Sequence, residues 1–342
     1  MSRYLITLKP IEPFFFGGEY TFGEESENKK ANYYAKSRLL PQQTQALGTI
    51  KKALLNLSGL LTLRSGGERI DQREYQRAAE LVGEAKTNGA IQSFSPVMIA
   101  YNGDLWLRAP KSFEFRLIET SGKSVINGRT LPLAYALEGF EDKSKLASGW
   151  IDKEGKFKDD KDFFKSFAQT GVTKRGDGSR ENEDKGFYKK TSYTLIGGAA
   201  FAFLLEIDRE KTKEKINLTK EIVFMGAERS PFLLESVEES RTFDQIIGDR
   251  YRKQNDADRI VLLSDSFAPD LAQSAKLIVG EKISRRELER KNGGKVSKGE
   301  LSYMLSAGSV VYPSDLNKAQ EALNNRDLQA IGFNQYQTIK GK

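Results

Sequence analysis

Lys189 and Lys190 stand between Tyr188 and Tyr193, with Phe187 just ahead, in the run GFYKKTSYTL. Cations beside rings suit a nucleic acid, whose phosphates take the charge while unstacked bases take the rings. The run before it adds Lys174, Arg175, Arg180 and Lys185, diluted by Asp177, Glu181, Glu183 and Asp184. On composition alone two readings stand here, an RNA contact and a solvated loop, because charge runs commonly just face water. A second candidate is the turn Gly226-Ala227-Glu228-Arg229-Ser230-Pro231. Glycine in a tight turn lets backbone N–H groups face a phosphate, and an arginine beside it can grip one through two N–H groups. An ordinary strand turn accounts for the same residues.

Other chemistry has little to stand on. The chain has no histidine and no cysteine. That removes disulfides, thiolate metal sites, cysteine nucleophiles and the side chain most used for proton transfer near neutral pH. There is no G-x-x-x-x-G-K-[ST] phosphate loop. The acidic pairs Asp159-Asp160 and Asp256/Asp258 lie in solvated-looking stretches, and Ser264-Asp265-Ser266 follows a buried strand with no base to serve it. The expectation is a protein with no cofactor, no metal and no catalytic residue. A net charge of +7 and a pI near 9.2 favour a polyanionic partner. No apolar run reaches the roughly 20 residues that cross a bilayer, and the N-terminus lacks a secretory signal pattern. The expected location is cytoplasmic, with no membrane association.

The elements that must position these residues read as α+β. A strand at residues 4–8 ends before Pro10 and Pro13, which cannot donate to a ladder. Residues 14–44 read as a long functional connection. Helical spacing then puts Leu47, Ile50, Ala53, Leu54 and Leu57 on one stripe. Asn102-Gly103 predicts a hairpin. So does Ile196-Gly197-Gly198, between a wet run 187–195 and a buried run 200–207. Residues 138–162 read as a loop or insertion. In the second half strands are expected near 222–225, 259–263, 276–279, 303–305 and 310–311. A helix is expected over 285–291, with Ser284 and Glu287 as its capping box. The polar run 209–221 marks a boundary between domains 1–208 and 209–342.

Five stretches in order carry a family resemblance: LKPIEPFFFGG, LLPQQTQALGTIKKALL, GVTK…EDKGFYKKTSYTL…FAFLLEID, FMGAERSPF, and LSAGSVVYP with IGFNQYQTI. Together they span nearly the full length, and the chain resembles the RAMP superfamily of CRISPR effector subunits. Within it the chain is most similar to the third-subunit group of the Cmr (type III-B) module, which holds the guide-RNA 5′ end. The resemblance implies two tandem ferredoxin-like RAMP domains with a β-hairpin thumb at about 165–195. It places the helix-start hydroxyl at Thr44 and the glycine-rich loop at 226–230. Two positions depart from the family pattern: Ala227 stands where a glycine is common, and Gln42 and Gln43 where prolines are. The implied partners are the crRNA 5′ tag and target RNA, the large palm-polymerase subunit and the backbone RAMP subunits. The expected RNA-binding set is Lys36, Arg38, Thr44, Lys174, Arg175, Arg180, Phe187, Tyr188, Lys189, Lys190, Tyr193, Gly226, Arg229 and Ser230. The alternatives are a metal-independent crRNA-processing endoribonuclease, against which the absence of histidine weighs, and the equivalent fourth subunit of a Csm-type complex.

Overall fold

The computed structural model describes residues 1–22, 33–60, 72–83, 88–113, 115–126, 129–132, 134–140, 145–172, 187–208, 210, 218, 220–226, 228–248, 257–290 and 296–340. It is α+β, with many strands and a few mostly short helices. Two compact units interleave along the sequence. The first is Met1–Gln92, Ile99–Gly103 and Asp160–Ser240; the second is Ser93–Met98, Asp104–Asp159 and Arg241–Lys342. The division expected at residue 208 is therefore corrected. Strand Ser230–Glu238 remains in the first unit because it pairs with β1 (Ser2–Pro10) from Tyr4↔Glu238 to Pro10↔Phe232.

In the first unit β1 alternates buried Tyr4, Ile6 and Leu8 with half-buried neighbours, the period of two of a half-buried strand. Ala200–Ile207 pairs along its other side, with Ile6 opposite Phe203. Helix α1 (Gln43–Leu57) buries Leu47, Ile50, Ala53 and Leu54, as its spacing predicts. Leu57, expected on the same stripe, is exposed in the last helical position. Phe14, Phe16, Phe201 and Phe232 fill the core beneath β1, with Phe14 and Phe16 stacked 4.5 Å apart and Phe16 and Phe232 at 5.8 Å. Burying each ring is worth roughly 1.5–3 kcal/mol.

A second sheet in this unit corrects three expectations. Residues 14–44 are not one long loop, because β2 (Gly18–Phe22) and β3 (Tyr33–Ser37) pair antiparallel. Strand Phe187–Leu195 pairs antiparallel with Phe164–Val172 from Phe164↔Leu195 to Val172↔Phe187, and parallel with β3. The hairpin expected across Gly197-Gly198 does not form, since Ala200–Ile207 belongs to the first sheet. Nor is the 187–195 run wet throughout: Lys189 is exposed, but Thr191, Ser192, Tyr193 and Leu195 are buried. Phe164–Val172 and Phe187–Leu195 thus make a long hairpin arm. Lys174, Arg175 and Arg180, expected at its tip, lie outside the described residues.

In the second unit a four-stranded sheet runs in the order Ala275–Val279, Val310–Pro313, Arg259–Leu262, Tyr336–Ile339. Both its faces are covered. Val261 and Val310 enter one apolar cluster with Leu107 and Ile151, while Ile260, Leu262 and Val311 enter another with Leu323. Residues 138–162, read as a loop, hold the paired strands Gly149–Ile151 and Phe157–Asp159, with Trp150 fully buried. The helix expected over 285–291 is also corrected. Lys282–Arg290 is a strand, paired antiparallel with Val296–Leu305. Arg, Glu, Leu and Lys favour a helix by only tenths of a kcal/mol each, so a long-range ladder overrides them.

Candidate nucleic-acid interface

The first unit gathers residues far apart in sequence around Phe14-Phe15-Phe16. Phe14 exchanges two backbone hydrogen bonds with Tyr193 at the root of the arm, its N–H donating at 2.7 Å and its carbonyl accepting at 3.1 Å. The Phe16 N–H donates to Ser37 Oγ at 2.9 Å, and the Phe16 carbonyl accepts from Gln45 Nε2 at 3.1 Å. Gln45 also accepts from the Gln42 N–H at 3.0 Å, so one side chain both caps α1 and ties it to this segment. Gly226 presses on the same segment: a Cβ there would stand 2.5 Å from the Phe15 carbonyl oxygen, and its φ is +85°. Only glycine fits.

Three cations sit over rings at this junction. Lys189 places its ammonium 5.9 Å from the Tyr34 ring centroid, Lys190 lies 5.2 Å from that of Phe15, and the Arg229 guanidinium lies 5.6 Å from that of Phe224. Lys190 is 17% exposed and ion-paired with Glu228, which links the arm to the glycine turn. Arg229 adopts φ +54°, a conformation that costs a side-chain-bearing residue about 1–3 kcal/mol and clusters at functional sites. Phe224 is 47% exposed beneath it. Neither Gln43 nor Thr44, in the first turn of α1, finds an acceptor for its amide among the described residues, and Gln43 Oε1 is buried without a partner. Free amides at a helix N-terminus favour an anion.

The expected residues divide. Lys36 is exposed on β3, opposite Thr191 of the arm, and Thr44 is half-buried at the start of α1. The Arg38 N–H donates to the Gly17 carbonyl at 2.8 Å. Phe187 and Tyr188 occupy the strand register opposite Val172 and Gly171. Two are withdrawn from a ligand. Tyr193 is 9% exposed and packs edge-on to Phe164 at 6.4 Å, so its ring belongs to the core. Ser230 is buried, opposite Met225. Gly226 serves close packing against Phe15 rather than an open approach. Ala227, where the pattern departs from glycine, lies outside the described residues. Sequence reasoning missed Tyr34, Phe15, Phe224 and Glu228, the partners of the three cations; the exposed-strand position of Phe224 within EIVFM was the available signal.

Two other polar groups are structural. Burial holds the Lys51 ammonium of α1 below its ordinary pKa, and it donates to Asn88 Oδ1 at 3.3 Å. In Ser264-Asp265-Ser266, Asp265 accepts from the Ala307 N–H at 3.1 Å and Ser264 Oγ from the Gln335 N–H at 3.0 Å. Those atoms satisfy partly buried backbone amides. No helix among the described residues is long and apolar enough to cross a membrane.

Comparison with solved structures shows a shared fold. A cryo-EM structure of the Type III-B Cmr-beta bound to cognate target RNA contains a chain 13% identical, aligned over 98% of this chain and 96% of that one with a TM-score of 0.53. A second, bound to cognate target RNA and AMPPnP in state 1, gives 13% identity over 97% and 94% with a TM-score of 0.48. A crystal structure of a Csm3-Csm4 subcomplex from a type III-A interference complex gives 13% over 90% and 92%, with a TM-score of 0.40. No curated protein sequence matches the chain. The family model for the CRISPR-associated protein Cas_Cmr3 matches residues 134–340, which take in the arm and the glycine turn. With 207 of its 342 residues so matched, the chain belongs to the Cas_Cmr3 family.

Proposed function

We propose that this protein is a non-catalytic, RNA-binding subunit of a type III CRISPR effector complex. In this reading it holds the 5′ tag of the crRNA and links the large palm-polymerase subunit to the backbone RAMP subunits, supporting target-RNA recognition. The two units are its two ferredoxin-like domains and the hairpin arm is its thumb. One observation carries the reading: the arm and the glycine turn, each well over a hundred residues from the start of α1, are tied together with it to a single segment, Phe14-Phe15-Phe16. Three cations over rings and two unclaimed helix amides surround it. Such a surface suits a sugar–phosphate backbone with a kinked, unstacked base. An incoming phosphate would compete with Glu228 for Lys190. The reading is non-catalytic because no histidine is present for proton transfer. The chain that gives the TM-score of 0.53 comes from a complex bound to cognate target RNA, which fits RNA as the ligand.

The test is the salt dependence of affinity for a crRNA 5′-tag oligonucleotide. Removing one cation that pairs with a phosphate of a single strand makes the slope of log affinity against log salt about 0.7 less negative. The Lys189→Ala, Arg229→Ala double variant is expected to bind more weakly, with a slope about 1.4 shallower, 0.7 for each cation removed. Unchanged affinity and slope would place the RNA elsewhere or remove it.

A further inference from the structure

The hairpin of the second unit, Lys282–Arg290 with Val296–Leu305, is unused by the reading above. Between Lys282 and Leu305 the chain carries seven Lys or Arg against three Glu, a local net of +4 in a protein of net +7. The two strands form a sheet of their own. Isolated two-stranded ribbons are marginal in water, and this one is held at its root. Leu305 and Ser266 exchange backbone hydrogen bonds at 2.8 and 2.9 Å, Met304 is buried, and the Arg285 guanidinium stands 4.7 Å from the ring centroid of buried Phe333. Those interactions use one face.

The other face is open beyond its root and not merely polar. Lys282, Ser284, Tyr303 and Leu305 share it by register, with Leu305 packed at the root against the cluster that holds Leu323. The Lys282 ammonium lies 3.8 Å from the Tyr303 ring centroid. Tyr303 is 51% exposed, and Leu301, two residues before it on the same face, is 45% exposed. A basic ribbon whose task was only to avoid sheet aggregation would place charge at such positions. Here an outward tyrosine and leucine share the face with Lys282.

We propose that this outer face is a second binding surface for single-stranded RNA, with a base stacked on Tyr303 and its phosphate on Lys282. The proposal rests on the reading that the chain binds RNA, and adds a site in the unit to which that reading gives none. Charge selects the occupant: a polyanion with exposed π-faces satisfies both the excess of cations and the ring.

The experiment uses the full chain and a fluorescently labelled single-stranded oligouridylate, with anisotropy read across a salt series and a thermal melt for each variant. Tyr303→Ala is expected to weaken binding about fivefold or more, and Tyr303→Phe to keep it. Lys282→Gln should make the salt slope about 0.7 shallower. Both effects should persist in the Lys189→Ala, Arg229→Ala background. If Tyr303→Ala and Lys282→Gln bind as wild type while the first-unit double variant weakens, the second surface is wrong and the first-unit site stands. If no variant changes binding, both fall. Equal weakening by Tyr303→Phe and Tyr303→Ala overturns the stacking assignment, and loss of a co-purifying protein subunit with RNA binding intact makes the face a protein interface instead.

Discussion

Each unit carries one long antiparallel hairpin, and each unit has a glycine turn pressed on a backbone carbonyl, yet the two hairpins are anchored differently. In the first unit a Cβ on Gly226 would meet the Phe15 oxygen at 2.5 Å; in the second a Cβ on Gly308 would meet the Ala109 oxygen at 2.6 Å. The first arm is paired on a further edge by β3 and rooted in an aromatic core through Phe14 and Tyr193. The second ribbon stays two-stranded and is held by a bridge, Met304 and an arginine on a ring. The first arm is thus a wall of the candidate site, with its cations fixed against rings contributed by other segments. The second, beyond the Arg285 anchor at its root, holds Lys282 on its outer face against a ring of its own, Tyr303. Precise placement of a guide end needs the first kind of anchoring, whereas sequence-tolerant binding of a strand needs only the second.

Substitution at the two roots should separate them most. Phe14→Ala removes a fully buried ring from the core beneath the arm and should cost about 3–5 kcal/mol, seen as a lowered denaturation midpoint with 5′-tag binding abolished. Met304→Ala should cost about 2–5 kcal/mol by the same cavity argument, while leaving 5′-tag binding intact at temperatures where the protein remains folded. If both variants lose the tag equally, the two hairpins are not functionally distinct. Gly226→Ala comes next. It forces a side chain against the backbone at a positive φ, at a cost of about 1–3 kcal/mol, and moves Glu228 and Arg229 with it, so tag affinity should fall beyond what the loss of stability explains. Gly308→Ala should destabilise comparably without that fall in affinity. Smallest is Lys190→Ala, which breaks the Glu228 pair: a partly exposed ion pair contributes at most about 1 kcal/mol. Stability should hardly move, while tag binding should weaken because the cation is gone.

The local patterns were legible in the sequence and the long-range pairings were not. The stripe Leu47, Ile50, Ala53, Leu54 is set by a 3.6-residue period and is buried. The turn at Asn102-Gly103 has the two positive φ values, +52° and +85°, that its residues favour. By contrast, parallel pairing of Lys190 with Ala35 joins residues 155 apart, and nothing in either strand names the other. The run RRELERK carries helix-forming residues and a capping pattern, but the strand Lys282–Arg290 that holds most of it is decided by its pairing with Val296–Leu305. For the candidate site, sequence found the cations at Lys189, Lys190 and Arg229. It could not show that Tyr193 turns inward or that Phe15, Tyr34 and Phe224 lie under those cations, because each ring comes from another strand or segment.

The most direct measurement is site-specific photocrosslinking from the 5′-tag nucleotides of the crRNA in the assembled complex, with the crosslinked peptides of this subunit read by mass spectrometry. Crosslinks to the peptides holding Lys36 and Arg38, Lys189 and Lys190, and Arg229 are expected, since those residues share one junction in the first unit. Tag crosslinks confined to the second unit, or absent from this subunit, would contradict it.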